Sequence, residues 1–169
     1  MTENNSHLLL KQESGCYQSR IVSVQPTAYD RNQMKIGDHD TAGAAKENSP
    51  PGHISIVDDD ASIREALKGL MRSVRFCADA YGSAEEFLAS ERINDTACLI
   101  LDVYLPGMNG FELQNHLKAE GRTIPIIFIT AYSDEVSRQR ALKGGAIDFL
   151  SKPVRREVLL KAIQSAAEH

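Results

Sequence analysis

The chain has no apolar run long enough to span a bilayer, and this excludes a transmembrane helix of ordinary length. A secretory leader is not expected either. The amino terminus carries acid and amide groups, and only Leu8-Leu9-Leu10 precede Lys11, so both the basic region and the apolar length of a signal are missing. Charge of one sign is scarce as well. The formal net charge of -4 gives no global attraction to nucleic acid or anionic membrane, although Lys152, Arg155 and Arg156 form a local basic cluster. Three cysteines (Cys16, Cys77, Cys98) are too few for a disulfide framework. Cys77 and Cys98 lie in apolar, strand-like runs, where a reduced thiol behaves as a small hydrophobe, and a cytoplasmic setting is expected.

What is present falls into two parts. Residues 1–52 show no sustained period and are rich in Asn, Ser, Gln, Gly and charge, closing on Ser49-Pro50-Pro51-Gly52. Such a segment buries too little apolar surface to offset its ordering entropy, and it is expected to be disordered. A partner-docking arm and a translation artefact upstream of the true start are the two other readings. No DNA-binding motif is visible in it.

From His53 the pattern changes. His53–Val57 reads as a β-branched strand running into Asp58-Asp59-Asp60, and Ser62 with Glu65 has capping-box spacing for a first helix. Arg75–Tyr81 reads as a second strand nearer an edge, and Ser83–Glu86 as another capping box. Cys98–Leu101 is a short buried strand that stops on Asp102, where Leu105-Pro106-Gly107 and Asn109-Gly110 force a loop. Phe111, Leu113 and Leu117 mark a helix ending at Gly121. Pro125–Thr130 is the fourth strand, Asp134–Lys143 a helix, Ala146–Leu150 the fifth strand, and Val158, Leu159, Ala162, Ile163 and Ala166 one face of a last helix. Five strands alternating with five helices predict an α/β fold with a doubly wound, five-stranded parallel sheet.

The informative feature is what ends each strand. The first ends in Asp58-Asp59-Asp60, the third in Asp102 and the fourth in Thr130, while the fifth leads into Lys152-Pro153. In open α/β sheets the chemistry lies just beyond the carboxyl ends of the strands. If the first and third strands are neighbours, as in the flavodoxin-like order, their carboxylates converge. Two such charges about 4 Å apart repel by roughly 4 kcal/mol at an effective dielectric near 20. A hard divalent cation, Mg²⁺ above all, resolves this with oxygen ligands. Asp102 would then be a nucleophile toward a phosphoryl group, with Mg²⁺ and Lys152 neutralising the transferring oxygens and Thr130 adding a hydroxyl. Each piece alone is weak: an acidic triplet is more often a solvated turn, and Asp102 could simply cap a loop. Four strand ends carrying complementary groups outweigh that reading.

The pieces IVDDD, LILDVYLPGMNG, IIFITAY and GAIDFLSKP make residues 53–169 resemble the receiver domain of two-component response regulators, receivers of the FixJ class in particular. The resemblance implies that Asp102 is phosphorylated by a sensor histidine kinase. It implies direct Mg²⁺ contacts from Asp59 and Asp102, a contact through water from Asp58, and a backbone carbonyl ligand from Tyr104. Thr130 and Lys152 would contact phosphoryl oxygens, and Phe149 would be the aromatic that turns inward on activation, remodelling the face of the fourth helix, fifth strand and fifth helix. Asp60 is not needed as a ligand. Tyr104 and Tyr132 flank the site at positions that govern water access in receivers, so slow self-dephosphorylation is expected.

The chain ends about one turn after its last apolar helix position, so a stand-alone receiver is expected, signalling through a downstream protein target. It is read as a phospho-switch and not as an enzyme, with no direct nucleic-acid or membrane partner. Homodimerisation through the last helices stays open. The alternatives are a fragment of a longer DNA-binding regulator and a Mg²⁺-dependent aspartyl phosphatase. The latter usually carries a second aspartate two residues after the nucleophile, where this chain has Tyr104. A receiver fold working without phosphorylation would normally have lost one of the acids or the lysine.

Overall fold

The computed structural model describes residues 52–168, and the expectation for residues 1–52 lies outside this range apart from Gly52. The elements run β1 (His53–Val57), α1 (Ala61–Ser73), β2 (Ala78–Tyr81), α2 (Ala84–Leu88), a 3₁₀ turn (Glu91–Asp95), β3 (Thr96–Asp102), α3 (Gly110–Ala119), β4 (Ile126–Thr130), α4 (Glu135–Lys143), β5 (Asp148–Ser151) and α5 (Arg156–Ala166). All strand pairs are parallel, in the order β2-β1-β3-β4-β5. This is the flavodoxin-like receiver order, with β2 at an edge as expected. No helix among the described residues is long and apolar enough to cross a membrane.

Alternation along the central strands divides the core between the two faces of the sheet. Leu99, Leu101 and Phe128 pack with Phe87, Leu113 and Leu117 of α2 and α3. Ile54, Ile56, Ile100, Ile127 and Ile129 pack with Leu67, Met71, Leu159 and Ile163 of α1 and α5. Cys98 is a buried free thiol in this second layer, and burial pushes its pKa up to about 12, so it behaves as a small hydrophobe.

Several boundaries differ from expectation, β3 for one starting at Thr96 rather than Cys98, and three of the differences have a local reason. Asp60, not Ser62, caps α1, because its side chain accepts the N–H groups of Ser62 and Ile63. β2 starts at Ala78 rather than Arg75. The chain leaves α1 through a left-handed residue, Arg75 at φ 65°, with Phe76 N–H returning to the Met71 carbonyl at 3.0 Å. This is the usual helix stop with arginine where glycine is normal, so the stop signal is missing from the sequence. β5 starts at Asp148 because Ala146 is used to close α4, its N–H donating to the Ala141 carbonyl at 3.1 Å.

Candidate functional site

Val57 pairs with Leu101, so the next residues, Asp58 and Asp102, emerge side by side at the carboxyl edge of adjacent strands. Asp58 is fully buried, Asp102 nearly so, and Asp59 is exposed. One oxygen from each of the three lies within 4.8 Å of the others. Lys152 reaches in from beyond β5, with Nζ 2.6 Å from Asp58 Oδ2 and 2.5 Å from Asp102 Oδ2. The lysine is placed by the sheet, since its own N–H donates to the Thr130 carbonyl at 2.8 Å. Thr130 ends β4 fully buried, and its hydroxyl accepts the Tyr132 N–H at 3.4 Å. The other oxygen of Asp102, Oδ1, accepts the Tyr104 N–H at 3.2 Å.

The electrostatics are those of an acid pocket short of positive charge. Burial raises the Asp58 pKa above its ordinary value, against the opposing pull of Lys152 and the Asp60 N–H. For Lys152, burial pulls the pKa down, but its close contacts with the Asp102 and Asp58 carboxylates outweigh this and hold it above the ordinary value. One ammonium, paired with Asp58 and Asp102, thus stands among three carboxylates. The close approach of Lys152 to Asp58 Oδ2 is an ion pair without hydrogen-bond alignment, and that buried oxygen accepts no other hydrogen bond. A buried carboxylate oxygen with spare acceptor capacity, an exposed carboxylate beside it and a third acid within reach fit a hard, oxygen-seeking divalent cation.

The residues singled out from the sequence fall into two groups. Asp58, Asp59, Asp102 and Lys152 form one cluster, with Thr130 tied to it through the backbone of Lys152. Tyr104 and Tyr132 stand outside, 53% and 74% exposed, as an edge-to-face pair with ring centroids 5.8 Å apart. Phe149 lies inward, buried against Phe128 at a centroid distance of 6.0 Å. Asp60 is occupied as the α1 cap and contributes no ligand oxygen to the cluster.

Three further residues support the site. Arg64 donates from α1 to the Asp58 carbonyl at 2.6 Å, bracing the loop after β1. Nothing in its spacing marks it, since a polar residue on an amphipathic helix reads as solvated. Asn109 and Glu112 form a complete capping box that starts α3 just beyond the acceptor loop. The three-residue spacing was there to be read.

Comparison with known proteins agrees with this geometry. The family described as "Response regulator receiver domain" matches residues 54–164. Nodulation protein W of Bradyrhizobium diazoefficiens is 46% identical over 126 residues, covering 75% of this chain and 56% of that protein. The transcriptional regulatory protein FixJ of the same organism is 36% identical over 115 residues, covering 68% of this chain and 56% of FixJ. The crystal structure of FixJ-N superposes with a TM-score of 0.64 at 35% identity, covering 70% of this chain and 94% of that one. The chain spans about half the length of the curated relatives it matches. Receivers as a family take a phosphoryl group from sensor histidine kinases onto an aspartate, with Mg²⁺ at an acidic pocket, and act in signalling. The chain belongs to the receiver-domain family of two-component response regulators.

Proposed function

We propose that residues 53–169 form a phospho-receiver in which Asp102 accepts a phosphoryl group from a histidine kinase. The observation that carries this reading is Lys152 Nζ bridging Asp58 and Asp102 at the carboxyl edge of the sheet. In the transfer, an oxygen of Asp102 attacks phosphorus, the P–N bond of the phosphohistidine breaks, and the electron pair returns to the imidazole. Asp59 and Asp102 would hold Mg²⁺ directly, with Asp58 acting through water and Tyr104 through its backbone carbonyl. The ion would supply charge neutralisation on the phosphoryl oxygens. Lys152 would exchange its carboxylate partners for a phosphoryl oxygen, and the Thr130 hydroxyl would donate to another. Loss of the Lys152 clamp on Asp58 and Asp102 couples the event to the loop after β5. The switch reading assigns Phe149, two residues before Ser151 on β5, to report that event to the face formed by α4, β5 and α5.

A phosphoryl mimic tests the assembly directly. Beryllium fluoride with Mg²⁺ should shift the amide resonances of Tyr104, Thr130, Phe149 and Lys152, and Asp102→Asn should abolish the response. Shifts that persist in Asp102→Asn would contradict the assignment.

Output through protein contacts, from a cytoplasmic protein, is the reading adopted for the residues described. A second reading has an observation of its own: the matched relatives, some named transcriptional regulators, are about twice as long as the match. This chain would then be the receiver of a DNA-binding regulator, and the complete reading frame of its gene discriminates the two. An aspartyl phosphatase is disfavoured by Tyr104, which stands where such enzymes carry their acid.

A further inference from the structure

The loop after Asp102 runs from Val103 to Asn109 before α3 begins. Its near end is tied to the acceptor by Tyr104 N–H, and it closes through Gly110 N–H donating to the Val103 carbonyl at 2.9 Å. Its middle is held by a residue 23 positions earlier. Glu85 of α2 accepts the Met108 N–H on Oε1 at 2.9 Å. The same oxygen lies only 2.7 Å from where a side chain on Gly107 would begin, and Gly107 is left-handed at φ +74°. The carboxylate therefore rests against the Gly107–Met108 peptide, an approach that only glycine permits. A charged acceptor makes this a stronger tether than a neutral one.

Glu85 also meets its own N–H and the Ser83 hydroxyl, but the Met108 N–H is its foremost partner and holds its pKa below the ordinary value. The cap of α2 is Ser83, which receives the Glu86 N–H, and it is Glu86 that accepts the Gly82 N–H at 2.6 Å. Of two adjacent glutamates, one closes the helix start and the other leaves its own element for the acceptor loop.

We propose that Glu85 is a positioning residue for the Asp102 site. By fixing the Gly107–Met108 peptide it sets the loop that presents the Tyr104 carbonyl, and so sets the affinity of the acid pocket for a divalent cation. This rests on the reading of Asp58, Asp59 and Asp102 as a Mg²⁺ site.

The test is a calorimetric Mg²⁺ titration of the full chain, with thermal midpoints and Met108 amide exchange measured alongside. Glu85→Ala should weaken Mg²⁺ binding about 10-fold, the low end for outer-shell partners of a metal site. Glu85→Gln, which keeps an acceptor oxygen without the charge, should recover much of the loss. Glu86→Ala, which releases Gly82 instead, should bind as wild type. Wild-type affinity in Glu85→Ala with an unprotected Met108 amide would overturn the positioning role alone, as would equal weakening in Glu86→Ala. If Glu85→Ala does not fold, wild-type affinity in Glu85→Gln with a fully unprotected Met108 amide would overturn it. Absence of Mg²⁺ binding by the wild type would overturn the metal site and the positioning role together.

Discussion

A methyl group on Gly110 would sit 2.3 Å from the Asp102 carbonyl oxygen and 3.0 Å from the Phe128 ring. Neither neighbour is free to yield, because one is strand backbone and the other is a fully buried core aromatic. Gly110→Ala should therefore lower stability by about 1–3 kcal/mol, as overpacking does, read from the urea midpoint. An unchanged midpoint would mean that α3 can back away from the acceptor. At the same scale, Tyr104 and Tyr132, two residues after Asp102 and Thr130, are exposed rings in mutual contact, and we propose that the pair shields the acceptor from water. Replacing both by alanine should speed loss of the phosphoryl group several-fold, and by more than either single change, in a mass-resolved decay. Hydrolysis already fast and not accelerated by the double change would contradict this shielding. Asp102, Thr130 and Lys152 were legible because each ends or follows a strand, where side-chain placement follows from topology. Arg64 and Glu85 were not, since each acts on a backbone group of another segment, and local sequence carries no record of such a partner.

Among the elements, α4 has the thinnest attachment. Ala141 is its one buried residue, while Val136 is 79% exposed. It packs on β5 and is tied to α3: Gln114 donates to the Ala141 carbonyl at 3.2 Å, and the Arg140 guanidinium lies 4.4 Å from the centre of the Phe111 ring. A helix held by so few contacts belongs to the low-stability end of the local-opening spectrum. Gln114→Ala should raise amide exchange in α4 about 5- to 10-fold, the effect of losing roughly 1 kcal/mol of hydrogen bonding, while β3 and β4 keep their rates. Uniform acceleration across the sheet would show that α4 opens only with the whole fold. Element type and order were legible because hydrophobic period changes sharply between strand and helix along this chain. Boundaries were less so. Asp60 and Ser62 are both good caps two residues apart, and only the direction in which α1 leaves β1 chooses between them. The stop at Arg75 uses a non-glycine residue in a glycine position, which no local pattern announces.

At the scale of the molecule, two apolar layers grip a sheet whose carboxyl edge holds three acids against one lysine. A ligand that binds only the folded state adds stability, about 2.7 kcal/mol at 100 times its dissociation constant. Mg²⁺ should accordingly raise the thermal midpoint of the wild type by several degrees. Asp59→Asn should lose most of that rise while keeping its midpoint without Mg²⁺, because Asp59 is exposed and supports no core contact. An equal rise in both proteins would place the cation elsewhere. The family and the fold were legible because four strand-end motifs fall at the intervals of one topology. The clamp of Lys152 on both Asp58 and Asp102, and the inward seat of Phe149, needed three-dimensional distances.

The central claim is that Asp102 is the phosphoryl acceptor and that its reaction requires the acid pocket to hold a divalent cation. Intact-mass analysis after incubation with Mg²⁺ and a small acyl-phosphate donor tests both halves together, with Asp102→Asn and an EDTA-treated wild type alongside. A single phosphoryl adduct is expected on the wild type and none in either control. An adduct that survives in Asp102→Asn, or its absence from folded wild-type protein that binds Mg²⁺, would contradict it.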